Sequence, residues 1–181
     1  MSRRSFTLQE LCREVGKNHV YLGQIQAALD LHKPEPPRKY SRRYVDFLIK
    51  CTSLRTFGVS LGDIQDLFRK EVKLLRLLHH HTHSRSPTWY LDQCHLDAKD
   101  PNRLLLTGYD LGFDILHGPI QSGLDFGSTE PELFDSHQMG ENLDHVVDLY
   151  RKQLLKVRRR VEEERPIIRR SITWSNRAFP S

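Results

Sequence analysis

Three prolines within nine residues, Pro34, Pro36 and Pro37 in the stretch HKPEPPRKY from 32 to 40, decide where this chain can be helical. Proline lacks the amide a helix needs and clashes with the preceding turn, so no helix runs through this stretch and it reads as a loop or short hairpin. The sequence on either side carries helix punctuation. Thr7 with Glu10 three residues later forms a capping box ahead of Leu8, Leu11 and Val15, and Gly16 supplies the left-handed residue that ends a helix. Asn18 can cap a second helix whose Leu22, Ile25 and Leu29 recur on one face. Beyond the prolines, Ser41 opens a third helix with Tyr44, Val45, Leu48, Ile49, Leu54 and Phe57 inside, and Gly58 closes it. Ser60 with Asp63 opens a fourth, reaching about His80.

After residue 83 helical periodicity gives way to Gly, Pro, Asp and Ser. The runs TWYLDQCHL and RLLLTGYDLGF are rich in β-formers and separated by DAKDPN, which predicts a β-hairpin, with 115–140 irregular. From 141 onward Leu143, Val147, Tyr150, Leu154, Val157 and Val161 alternate steps of four and three, the seam of a coiled coil, and Pro166 should stop or kink that helix near Arg165. The expected fold is therefore mainly α: an N-terminal winged helix-turn-helix unit (1–83), an acidic α+β accessory region with a β-hairpin (84–140), and a C-terminal amphipathic or coiled-coil helix with its tail (141–181).

A content of 38% hydrophobic and 28% charged residues excludes a mostly disordered or collagen-like chain. The net charge of +5 is modest, but its distribution is not even. Residues 1–50 hold 10 basic and 5 acidic side chains, 51–83 hold 5 and 3, 84–140 hold 3 and 9, and 141–181 hold 10 and 6. A basic front favours a nucleic-acid partner more than the total implies. Cys12, Cys51 and Cys94 stand far apart with no C-x-x-C pair, so neither a zinc knuckle nor a disulfide framework is expected. No signal-peptide core follows the basic start MSRR, and no apolar run nears the roughly 18 residues of a membrane span, so a cytoplasmic protein with no membrane partner is expected.

Two short helices, a tight turn, a basic proline-bearing wing and two more helices suit a unit that places one helix in a major groove while the wing grips phosphate beside it. The residues FTLQELCREVG, then RKYS, then VDFLIKCTSLRTFGVSLGDIQDLF make the stretch from Phe6 to Phe68 resemble the MerR family of transcription regulators, and more distantly the excisionase-like proteins. That resemblance implies a winged helix-turn-helix fold and sequence-specific binding of double-stranded DNA, with Arg38 and Tyr40 in the places of the family's wing arginine and tyrosine, which contact or buttress the phosphate backbone. Gly23, Gln24, Ile25 and Gln26 stand where the family usually shows an Arg-Tyr-Tyr-Glu run, and no effector-binding cysteine pair is present.

From the residues themselves, Lys17, Asn18, His19, Tyr21 and Gln24 are the candidates for base contact at the start of the second helix. Arg38, Lys39, Arg42 and Arg43 are the candidates for phosphate contact, and Ser41 is a cap. If about five Lys and Arg in all contact phosphate, the logarithm of affinity should fall with the logarithm of salt at a slope of roughly −4 to −5. Arg3 and Arg4 fit a minor-groove arm or a frayed terminus. His79, His80, His81 and His83, with Cys94 and His95 following, suggest a metal, but imidazoles at a helix end also suit its dipole, so neither metal nor cofactor is expected. Asp110, Asp114 and Asp125 come with no nucleophile or phosphate-binding loop, so an enzyme is not expected.

The seam from Leu143 to Val161 predicts a homodimer that presents two second helices to one operator, although the same face could cover the chain's own hairpin. The main alternative is a protein-interaction module or adaptor that keeps the helix-turn-helix fold without binding a duplex. A ligand-sensing role for residues 84–140, carried by the aromatic hairpin with Trp89, is a third.

Overall fold

The structure, a computed structural model, describes residues 5–78, 85–92, 103–110 and 136–177, with the side chains of Asp92, 136–142 and 166–177 excepted. In chain order the elements are β1 (Ser5–Phe6), α1 (Leu8–Val15), α2 (His19–Ala28), β2 (Tyr40–Ser41), α3 (Arg42–Thr56), α4 (Leu61–Leu77), α5 (Trp89–Asp92) and α6 (Ser136–Arg177).

The expected punctuation forms as hydrogen bonds. The Thr7 hydroxyl accepts from the Glu10 amide at 3.3 Å while the Glu10 carboxylate accepts from the Thr7 amide at 2.8 Å, closing the box reciprocally. Gly16 takes a φ of 69° and ends α1. Asn18 caps α2 through the Tyr21 amide at 2.8 Å, and Ser41 and Ser60 cap α3 and α4 at 3.2 and 3.0 Å. Gly58, with a φ of 74°, turns the chain between α3 and α4.

The proline stretch stays non-helical, but it does not fold back as a hairpin of its own. Its last residue begins β2, which pairs antiparallel with β1, Phe6 opposite Tyr40 and Ser5 opposite Ser41. The strand ahead of α1 is thereby stitched to the strand ahead of α3. Phe6, Leu11, Leu22, Ile25, Tyr40, Val45 and Leu48 close over this junction and are almost wholly buried.

Two expectations for the later chain are corrected. The TWYL run forms the helix α5, not a strand. Ser86 and Pro87 precede it, the Ser86 hydroxyl accepts from the Thr88 amide at 3.2 Å, and the Ser86 carbonyl accepts from the Trp89 amide at 3.1 Å, which is cap-and-proline chemistry at a helix start. Burial against α3 and α4 then overrides the β preference of the aromatics: the Tyr90 ring lies 5.3 Å from that of Phe68, edge to face. The run RLLLTGYD turns on itself, with the Leu104 amide donating to the Tyr109 carbonyl at 2.7 Å and Gly108 at a φ of 75°. Residues 93–102 and 111–135 lie outside the described residues, and with them Cys94, His95, Asp114, Asp125 and most of the expected irregular region.

That turn is fastened from two sides. The carboxylate of Glu71, fully buried on α4, accepts from the amides of Leu106 at 2.9 Å and Thr107 at 2.7 Å. The Tyr150 hydroxyl of α6 accepts from the Leu105 amide at 2.9 Å. Burial pushes the Glu71 carboxyl above its ordinary range, against the opposing pull of the two amides.

α6 begins at Ser136, before the expected 141, and its helical backbone continues past Pro166 to Arg177, so of the stop or kink expected near Arg165 the stop does not occur. Proline there removes one internal hydrogen bond without ending the helix. α6 lies along α4 of the same chain. Val147, Tyr150, Leu154 and Val157 are buried and Leu143 and Val161 partly so, in one hydrophobic cluster with Ile64, Leu67, Leu74, Tyr90, Leu104 and Leu106. The seam read as a dimerisation surface is thus covered within the monomer.

Polar tethers at the α4 start reinforce this packing. Lys156 Nζ lies 2.6 Å from Asp63 Oδ1, and Gln153 Nε2 donates to the Asp63 carbonyl at 3.1 Å. The Lys156 ammonium, together with the Ser60 hydroxyl, holds the Asp63 carboxyl below its usual range.

Candidate nucleic-acid interface

The site expected from the sequence divides into two groups. In α2 the apolar residues Leu22, Ile25 and Leu29 face the core, which leaves the opposite arc of the helix outward. Lys17, Asn18, His19 and Gln24 are exposed and Tyr21 is half-buried. The structure brings Lys17 and Tyr21 together, the ammonium 5.5 Å from the ring centroid. The Asn18 side-chain oxygen is engaged by the Tyr21 amide, so its first role is to cap the helix.

Val20 is a residue the sequence reading missed. It is 57% exposed at the leading turn of α2, one turn before Gln24 on the same stripe. Its signal was available: it falls outside the Leu22, Ile25, Leu29 period, so an apolar side chain there cannot reach the core. Gln26, by contrast, is buried and donates to the Tyr44 hydroxyl at 2.9 Å, an internal tie between α2 and α3.

The basic group around β2 separates further. Arg38 and Lys39 are exposed, and among the described residues neither enters an ion pair. Arg42 is held by α1 and α3, its guanidinium 3.4 Å from Glu14, 3.1 Å from Asp46 and 5.9 Å over the Phe6 ring. It remains half accessible, with its charge partly answered.

Two of the candidate contacts are turned inward. Arg43 is half-buried and donates to the Leu91 carbonyl at 3.1 Å, fastening the start of α3 to α5. Tyr40 is 1% exposed, its ring 5.1 Å from that of Tyr44, so it supports the base of the proline loop from within the core. The position of Tyr40 opposite Phe6 in the sheet explains this: with Ser5 and Ser41 facing outward, the Phe6 and Tyr40 pair faces the core.

The arrangement can present polar and apolar side chains from one helix, and positive charge from an adjoining loop. Among the described residues no group of His, Cys, Asp and Glu could hold a metal ion, and His79–His83 lie outside them. No described helix is long and apolar enough to cross a membrane. Against models of known families, curated proteins and solved structures alike, the chain finds no match.

Proposed function

We propose that the chain is a sequence-specific double-stranded-DNA-binding protein of the winged helix-turn-helix kind, a transcription regulator working in the cytoplasm. One observation carries this reading: α2 and the turn before it expose Lys17, His19, Val20 and Gln24 away from the core, while the loop that enters β2 exposes Arg38 and Lys39 with no acidic counterpart among the described residues. Gln24 can pair with adenine and Val20 can meet a thymine methyl group in a major groove. Lys17 and the positive end of the α2 dipole suit a phosphate at the groove edge. Arg38 and Lys39 neutralise phosphate from the wing, Arg42 adds to them in part, and Tyr40 buttresses the loop. The order β1, α1, α2, β2, α3, with the first strand paired to the second, supports the same reading.

Selection from a random duplex pool by the purified chain at two salt concentrations tests it. We expect enrichment of a defined site and weaker recovery at the higher salt; a pool that stays random at both concentrations would refute the reading. The selected sites also report on assembly. The seam on α6 is already covered, so paired half-sites would require a homodimer built on another surface.

A protein-interaction module is the second reading. What favours it is that the fold engages Arg42 and Arg43, two of the four cations expected to meet phosphate. Charge reversal at Arg38 and Lys39 separates the two. Duplex binding collapses in the first case, whereas in the second it is absent from the start and capture of an acidic protein partner changes instead.

A further inference from the structure

Away from the arc just described, the end of α2, one side of α4 and the start of α5 enclose an open groove of about 860 Å3. That is the size of a small-molecule site. Arg69, Lys73 and Arg76 of α4 line it at positions i, i+4 and i+7, a row about 10 Å long at the helical rise of 1.5 Å per residue. All three are exposed, and among the described residues none enters an ion pair. Among the described residues the one lining carboxylate is Asp30, so positive charge prevails among them. Phe68 and the half-buried indole of Trp89 supply an apolar and aromatic surface beside the row.

The walls are fixed without a ligand. Gln65 Nε2 of α4 donates to the Ala28 carbonyl at the end of α2. The Tyr44 hydroxyl donates to the His32 carbonyl at 3.1 Å, holding the next residues of the rim against α3. Two walls tied in this way lose little entropy when something is seated between them.

A row of unanswered cations longer than one carboxylate, next to a ring that can be stacked upon, selects for a ligand with several linked anionic groups and a flat body. We propose that this groove binds a nucleoside triphosphate, with its phosphates along Arg69, Lys73 and Arg76 and its base against Trp89. The site shares no residue with the proposed duplex-binding surface, and its test uses no duplex.

Isothermal titration of the full chain in metal-free buffer with ATP, inorganic triphosphate and adenosine tests the assignment. We expect one saturable site for ATP, with triphosphate and adenosine each weaker by about tenfold or more. Arg69→Glu with Lys73→Glu should abolish the ATP signal while the far-ultraviolet circular dichroism stays unchanged. Should that pair fail to fold, Arg69→Gln with Lys73→Gln reads the same loss, and Trp89→Leu should bring ATP down to the affinity of triphosphate. No saturable heat with ATP, equal affinity for triphosphate and ATP, or full ATP affinity in the neutralised variant would overturn the proposal.

Discussion

Glu71 is the residue on which the interior is most exposed to error. A carboxylate with no solvent access is tolerated because two backbone amides, of Leu106 and Thr107, end on its two oxygens. Glu71→Leu keeps the volume but orphans both amides, and should lower stability by roughly 2 to 5 kcal/mol in urea unfolding. Its titration gives a second test. The folded carboxyl is raised above its ordinary value of 4.5, so the folded state binds more protons than the unfolded one between the two values. Its stabilising share is complete below the ordinary value and is lost as the pH rises through the folded one. Urea unfolding of wild type and Glu71→Gln from pH 4 to pH 8 should therefore show wild type losing ground to the variant as pH rises. A difference independent of pH would mean that the buried group does not titrate as described. Tyr150 acts on the same turn from the other side, and Tyr150→Phe should cost about 1 to 2 kcal/mol by stranding the Leu105 amide.

At the scale of elements, α6 shows how a pattern can be read correctly and its partner wrongly. The steps of four and three from Leu143 to Val161 mark an apolar stripe whether the partner is a second copy or α4, because both present the same kind of surface. Here α4 fills that place, helped by Lys156 and Gln153 reaching Asp63. Leu154→Ala should then lower stability by about 2 to 4 kcal/mol, read by thermal or urea unfolding, without changing the mass measured by light scattering. A variant that lost mass and not stability would return the seam to an interface between copies.

The caps at Thr7, Asn18, Ser41 and Ser60 and the turns at Gly16 and Gly58 were legible in the sequence because each is settled by residues within one helical turn. The strand pairing of Phe6 with Tyr40, the helix at Trp89 and the inward turn of Arg43 were not, because each is decided by a contact more than twenty residues away in sequence. A Glu set among Leu67, Phe68, Leu74 and Leu75 was visible as an acid on an apolar stripe, but the amides that satisfy it come from a turn whose folding no local pattern announces.

Over the whole molecule, charge separates into what the fold uses and what it leaves outward. Arg43 is taken up by α5, Arg42 is partly answered by Glu14 and Asp46, and Lys156 and Arg160 are paired. Of the cations expected to meet a duplex, Arg38 and Lys39 remain, with Lys17 on the approach to α2, so fewer are available to it than the sequence suggested. Counting Lys17, Arg38, Lys39 and the accessible part of Arg42 lowers the expected salt slope from five contacts' worth to roughly −3 to −4. The measurement that bears most directly on duplex binding is fluorescence anisotropy of the selected duplex against salt, for wild type and for Arg38→Glu with Lys39→Glu. Wild type should give a slope of roughly −3 to −4, and the variant a slope shallower by about two with affinity at least about tenfold weaker. Equal affinity in the two proteins, or a wild-type affinity that ignores salt, would contradict it.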